Sequence, residues 1–444
     1  MAEQTPVEPL PGKLSTSGSA SGARVMGFPA YRERTAALGE LHSRPHPTLT
    51  PPRILIQLAL MLDGGVAADK AVISDLCRAR GASGPADGAR HHLLPWSKGQ
   101  LRWERHSEFS TYLFDGPANA RTLEPVGDMP FSSGFPAPGT VISGVRVEVR
   151  SWTKPNEKVL ETFDAASLCF STVENGMAAI ATDFRQDADG LTRIVIFDKG
   201  ITPARAGALA QRVIEIETYR TLALLGLPLA QRLSPRLRNM EDRLADLTLR
   251  MRNSPTTDSQ AQLEDLNGLT AELESDAAST LFRFGASRAY DEIVTERVAA
   301  LGETAVTGYE SWHGFLQRRM APAMRTCRSI EERLANMSRK LARAATLLRT
   351  RVDVELEKQN SALLTSMNKR AQQQLRLQHT VEGLSVAAVT YYLVGLVAFM
   401  AKGAKELGYP YSPELTSAIS VPVIALGVFW LVRRIRGANS EYDI

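Results

Sequence analysis

The sequence predicts a mixed α+β or α/β domain, then a long helical stalk with coiled-coil-like character, then two transmembrane helices. Three observations carry this. Short runs of strand-type composition fill residues 53–197. From Thr202 onward β-type signals vanish and amphipathic helical spacing takes over. Two uncharged apolar stretches, 384–401 and 415–432, then close the chain. The organisation that follows is a disordered leader over 1–27, a sheet domain over 28–200, a stalk over 201–383, a membrane hairpin over 384–432 and a basic tail over 433–444.

The leader is rich in Ser, Gly and Pro and carries no apolar segment of the secretory kind. In the sheet domain, the run 53–62 ends at Asp63-Gly64-Gly65, and 67–80 has helical spacing. Strand-type runs follow at 100–105, 109–114, 141–150, 177–184 and 191–197. The polar turn Gln186-Asp187-Ala188-Asp189-Gly190 makes the last two a hairpin. It also resembles the opening of a calcium loop, but Thr192 and Asp198 hold positions where Gly and Glu are needed. Pro- and Gly-rich segments at 81–99 and 116–140 read as long loops.

Four helices are expected beyond Thr202. The first covers 203–225 and ends at Gly226-Leu227-Pro228; the second runs 235–252; the third runs 257–300. The fourth starts at Pro322, a good first-turn residue, and continues into the first apolar stretch. Its apolar positions include Leu334, Met337, Leu341, Leu348, Leu356, Leu363 and Met367, mostly three or four apart or multiples of that spacing. From 330 to 384 it would extend roughly 80 Å at helical rise, too long for a lone surface helix. It must pack on neighbours or on copies of itself. Tyr309, Trp312, His313 and Phe315 form an aromatic knot that packs a helix corner just ahead of it.

Each closing stretch gives roughly 27 Å of helix, close to the thickness of a bilayer core. Tyr391, Tyr392, Phe429 and Trp430 offer interfacial aromatics. Lys369, Arg370 and Arg376 precede the first stretch and Arg433, Arg434 and Arg436 follow the second, whereas Lys402 and Lys405 between them are offset by Glu406 and Glu414. Positive charge favours the cytoplasmic side, which would place both termini there.

At 444 residues, 44% hydrophobic and 23% charged, the chain can bury a substantial core. A net charge of +4 is small for this length and gives no reason to expect a nucleic-acid partner. Cys77, Cys169 and Cys327 are widely spaced, which indicates neither a disulfide framework nor a zinc site.

The densest candidate cluster is 102–109. In a strand, Arg102, Glu104, His106 and Glu108 alternate onto one face, where a histidine flanked by two glutamates could act as a base or bind a metal. The bland alternative is a charge ladder in which the arginines pair the glutamates. His42 and His46 have i, i+4 spacing, but Pro45 and Pro47 oppose a helix there, so His42 or Arg44 fixing a turn is preferred. His91-His92 reads as a solvated loop. In the apolar stretches, Thr390, Tyr391 and Gly395, with Glu414 beyond them, are candidates for helix packing or for lining a pore. No P-loop, nucleophile elbow or dinucleotide fingerprint completes an active site, so an enzyme is not expected and neither cofactor nor bound metal is assigned.

The segments LHSRPHP (41–47), RWERHSEFSTY (102–112), PAMRTCRSIEERL (322–334), LLRTRVDVELEKQNSALL (347–364) and LRLQHTVEGLSVAAVTYYLVGLVAFMAKG (375–403) resemble an uncharacterised bacterial family, domain of unknown function thirty-four twenty-two. The resemblance implies two C-terminal spans and the bacterial inner membrane. The architecture is also similar to that of CorA-type magnesium channels, including a Tyr-Pro-Tyr-Ser-Pro-Glu-Leu loop at 409–415. Their Gly-Met-Asn signature is absent: Ala401-Lys402-Gly403 stands in its region and no asparagine occurs from 384 to 432. The expectation is a membrane-anchored, homo-oligomeric binding or scaffolding protein whose partners are the bilayer and its own copies; a CorA-like channel is the alternative. A small ligand or divalent cation is the other partner class considered.

Overall fold

The structure, a computed structural model, describes residues 24–31, 34, 38, 46–253, 259–406 and 412–439. His42, Arg44, residues 1–23 of the leader and residues 407–411 of the expected external loop lie outside the described residues. The chain divides into two compact units. One is built on residues up to Ala245 with Gly268–Leu341, the other on Asp246–Asn267 and the chain from Ala342 on.

The first unit opens with an antiparallel ribbon, β1 (Arg24–Val25) and β2 (Phe28–Pro29), around a turn at Met26 and Gly27. Glycine tolerates the φ of +87° at that turn. Next come β3 (Arg53–Met61), α1 (Gly65–Ala79), β4 (His91–Trp96), β5 (Gly99–Arg105), β6 (Phe109–Pro117) and β7 (Val141–Ser151). The short α2 (Lys154–Glu157) precedes β8 (Cys169–Val173), β9 (Ala178–Thr182) and β10 (Thr192–Asp198). Three helices, α3 (Pro203–Leu224), α4 (Gly226–Asn253) and α5 (Ser259–Ala299), lead to a two-residue strand, β11 (Thr304–Ala305). The long α6 (Trp312–Glu406) and α7 (Pro413–Asn439) complete the described chain.

Nine strands form one sheet in the order β11-β8-β9-β10-β7-β3-β6-β5-β4. Among the described strands β10 and β7 pair in parallel and the other ladders are antiparallel, and the β9–β10 hairpin turns at Gly190, where φ is +78°. Period-two alternation then sorts side chains between the faces. On one, Val145, Val147, Val149, Ile194 and Ile196 form a core with Leu209, Val213 and Ile216 of α3. On the other, Leu101, Trp103, Tyr112 and Phe114 pack with Ile73 and Cys77 of α1, and Val195 and Phe197 pack with Val159 and Phe163. Each such side chain removed from water contributes roughly 1.5–3 kcal/mol.

Several expectations change. The loop read over 81–99 contains β4, whose alternation was hidden by the glycines before it, and His91 and His92 sit in that strand opposite Glu104 and Trp103. Strands β8 and β11 have no separate counterpart in the sequence reading; β11, two residues long, pairs only with β8. Gly226-Leu227-Pro228 does not end in a loop: α4 starts there at once. A Cβ on Gly226 would meet Ser287 Oγ at 2.6 Å, so the glycine admits α5 to close approach. Helix α6 begins ten residues before Pro322. Its first turn is capped by Ser311, whose hydroxyl accepts from the Gly314 amide at 3.0 Å, and by Glu303, which accepts from the amides of Trp312 and His313.

In the second unit, Leu247, Leu266 and Leu348 are fully or almost fully buried, while Leu356, Leu363 and Met367 further along α6 are exposed. Two helices, α6 and α7, each contain a window long and apolar enough to cross a membrane, with mean hydropathy 2.0 and 2.1. Of these windows 0% and 6% is buried within the chain.

Candidate functional site

The candidate site grows from the β5–β6 hairpin. Alternation along β5 turns Leu101 and Trp103 toward α1 and leaves Arg102 and Glu104 for the α3 face. The strand ends at Arg105, and the amide of His106 donates to the Phe109 carbonyl at 2.8 Å to close the turn. The strands end and resume at the bounds read from the sequence, 105 and 109, so the one-face alternation considered for residues 102–108 is interrupted by a hairpin corner. Its consequence is that the four polar residues separate.

Arg102, Glu104 and His106 meet at a cavity of about 40 Å³, together with Gln57, Gln211 and Glu215. Glu104 is 7% exposed; its Oε1 lies 3.3 Å from Arg102 Nε. Around it, Gln57 donates to the Thr218 hydroxyl at 3.0 Å, Gln211 donates to Glu215 at 2.9 Å, and Arg297 pairs with Glu215 at 2.5 Å. A cavity of that size admits one or two waters and no organic substrate. In this half of the cluster Arg102 pairs with Glu104 of its own strand.

Glu108 faces elsewhere. It takes two bonds from Arg283, at 2.6 and 3.2 Å, and one from the Tyr290 hydroxyl at 2.7 Å, which ties the corner to α5. Burial, and then the Glu108 carboxylate, push the Tyr290 hydroxyl well above the ordinary phenol range. His106 stacks on Phe109 with centroids 4.2 Å apart, and Phe109 meets Tyr219 and Tyr290 edge-on.

Beyond His106 a second, larger cavity of about 490 Å³ opens, lined by Arg90, Arg105, Ser107, Tyr219 and Tyr290 among others. Sequence reasoning missed Arg90, Tyr219 and Tyr290, because they come from a strand edge and two helices distant in the chain. A third cavity, about 110 Å³, has His46, Gln100, Arg102 and Asp115 in its wall; Arg53 holds Asp115 at 2.6 Å. Among the described residues no group of three or more His, Cys, Asp or Glu could hold a metal ion.

The remaining candidates lie on the apolar helices. Thr390 donates its hydroxyl to the Val386 carbonyl at 2.7 Å, Tyr391 is exposed and packs edge-on against Tyr392, and a Cβ on Gly395 would meet nothing within 4 Å. Glu414 sits in the first turn of α7.

A family described as Protein of unknown function (DUF3422) matches residues 29–438. The chain belongs to the DUF3422 family. The DUF3422 match takes in both the hairpin corner and the two apolar helices, so both are parts of one family architecture. Comparison with curated proteins finds no match.

Proposed function

We propose that this DUF3422 member is an oligomeric binding protein anchored in the bacterial inner membrane by α6 and α7, with its sheet domain and both termini in the cytoplasm. The observation that supports it is the exposure of the two apolar windows: Tyr391, Phe399, Leu426 and Trp430 all lie open. Apolar surface of that extent is stable against lipid and not against water. The distribution of Lys and Arg favours cytoplasmic termini. Binding, not catalysis, is favoured because the buried Glu104 cavity is too small for a substrate, whereas the open cavity beyond His106 is in the ordinary ligand range. Exposed Leu356, Leu363 and Met367 on α6 supply a stripe for a second copy.

The test is extraction of membranes with alkaline carbonate. The full chain should stay in the pellet, and a truncation after Gln378 should move to the supernatant. Full-length protein released by carbonate would defeat the anchoring. Cross-linking in mild detergent reads the oligomer, which a purely monomeric population would exclude. Cation flux into liposomes carrying the same preparation examines the channel alternative, in which Thr390 would face a shared axis.

A further inference from the structure

The core between the sheet and α3 ends in a cavity of about 360 Å³ that shares no lining residue with the one beyond His106. Three elements change from apolar to polar there together. On β7 the column Val149, Val147, Val145 continues, two residues at a time, to Ser143; on β10 the column Ile196, Ile194 continues to Thr192; on α3 Leu209, Val213 and Ile216 give way to Glu217 and Arg220. Ser143 is 5% exposed, and its hydroxyl has no hydrogen-bond partner among the described residues. Buried polar atoms of folded proteins almost always have a partner, so this hydroxyl is the group at the cavity wall that a ligand could satisfy. The neighbouring charges are already balanced. Glu217, 2% exposed, accepts from the Thr192 hydroxyl at 2.9 Å and from Arg220 at 2.6 and 3.0 Å, and the Arg220 guanidinium lies 5.1 Å from the centre of the Phe184 ring. Ile142, Leu224 and Leu225 add aliphatic surface to the wall.

We propose that this cavity is a binding site for a small uncharged molecule that carries one hydrogen-bonding head, an amide or a hydroxyl, on a short aliphatic body. The head would bond to the Ser143 hydroxyl, which can both donate and accept. A charged head is disfavoured whichever its sign: a carboxylate would meet Glu217 and an ammonium would meet Arg220, and those two groups are already committed to each other. The aliphatic body would leave water to lie against Ile142, Phe184 and Leu224. The volume falls in the range of small-molecule sites. This is a second site, beyond the binding role proposed above. It depends neither on the cavity beyond His106 nor on the anchoring, because every residue that lines it belongs to the first unit.

The experiment uses the full chain in lipid nanodiscs, with empty nanodiscs as the blank, and follows four probes of one carbon skeleton by ligand-observed NMR at pH 7: isovaleramide, isoamyl alcohol, isovalerate and isoamylamine. The amide or the alcohol should bind saturably, with a Kd on the order of millimolar for so small a ligand, and the two ions about tenfold or more weakly than it. Whichever neutral probe binds more tightly names the head group, and equal binding keeps both within the class. Ser143→Ala should weaken the neutral probe about fivefold or more, and Ser132→Ala, at an exposed serine outside the cavity, should not. Because Ser143→Ala also removes a buried hydroxyl that has no partner, the unliganded variant should unfold at the same temperature as the parent or higher, which separates lost binding from misfolding. No saturable signal above the blank from either neutral probe up to about 100 mM overturns the inference, leaving a hydrated cavity only. Isovalerate or isoamylamine binding as tightly as the neutral probes overturns it too, as does binding unchanged in Ser143→Ala. Carbonate extraction reports the anchoring independently, so either reading can fail while the other holds.

Discussion

Glu108 shows how one residue can belong to a site in sequence and to a joint in structure. Its carboxylate is 8% exposed and receives Arg283 and Tyr290, so it fixes the hairpin corner to α5 and does not join the Glu104 cavity. Glu108→Ala should strand a largely buried guanidinium and lower unfolding stability by about 2–4 kcal/mol, read by denaturant titration. The double substitution with Arg283→Ala should cost less than the sum of the singles, because the charge left unpaired by the first change is then gone. Cys169 gives a second reading at this scale. Burial, with Glu310 and Glu303 nearby, pushes its thiol up to about 12 from an ordinary 9. A folded-state pKa above the unfolded value means stability that is complete below pH 9 and lost as pH rises toward 12. Native protein at pH 8 should therefore leave Cys169 unalkylated, and Cys169→Ala should flatten the alkaline decline in stability; rapid labelling of the folded chain at that pH would contradict the burial.

Among the elements, α1 depends most on a contact that spacing alone does not announce. Its Asp69 is fully buried and accepts hydrogen bonds from Trp103 at 3.0 Å, Ser110 at 2.8 Å and Tyr112 at 2.8 Å, all on the sheet. Burial and the Asp69 carboxylate raise the Tyr112 hydroxyl far above its usual range, which keeps it a donor. Asp69→Ala should remove the acceptor for three buried donors and destabilise the first unit by about 3–5 kcal/mol. Asp69→Asn, keeping one oxygen, should cost less; equal losses for the two would mean that packing, not acceptance, holds α1. Element types were legible where local rules act. The runs at 100–105, 141–150 and 191–197 are strands because alternation is a property of the strand itself. The strand β4 and the early start of α6 were legible only in hindsight, through the alternation within His91–Trp96 and the cap Ser311. Glu303 adds a cap from outside the helix, and the two-residue β11 owes its existence to pairing with β8, so neither has a local signature strong enough to read.

At the scale of the whole molecule, the proposed anchoring predicts that the truncation after Gln378 turns a carbonate-resistant protein into a soluble one with its sheet domain intact, checked by sedimentation and by circular dichroism. Pelleting of the truncated chain would place the membrane contact elsewhere. The sequence by itself determined the mixed sheet domain, the succession of long helices and the two apolar stretches, because strand alternation, helical spacing and a bilayer-length run are periodic properties of neighbouring residues. It also placed Arg102, Glu104, His106 and Glu108 together as a group of interest. Only the tertiary structure decided that the group splits at a hairpin corner, that Arg102, Glu104 and His106 share a water-sized cavity, and that Arg90 comes to face Arg105 across a strand pair. Those relations depend on which strand lies beside which and on helices α3 and α5 arriving from more than a hundred residues away, and long-range pairing of that kind leaves no period in the chain.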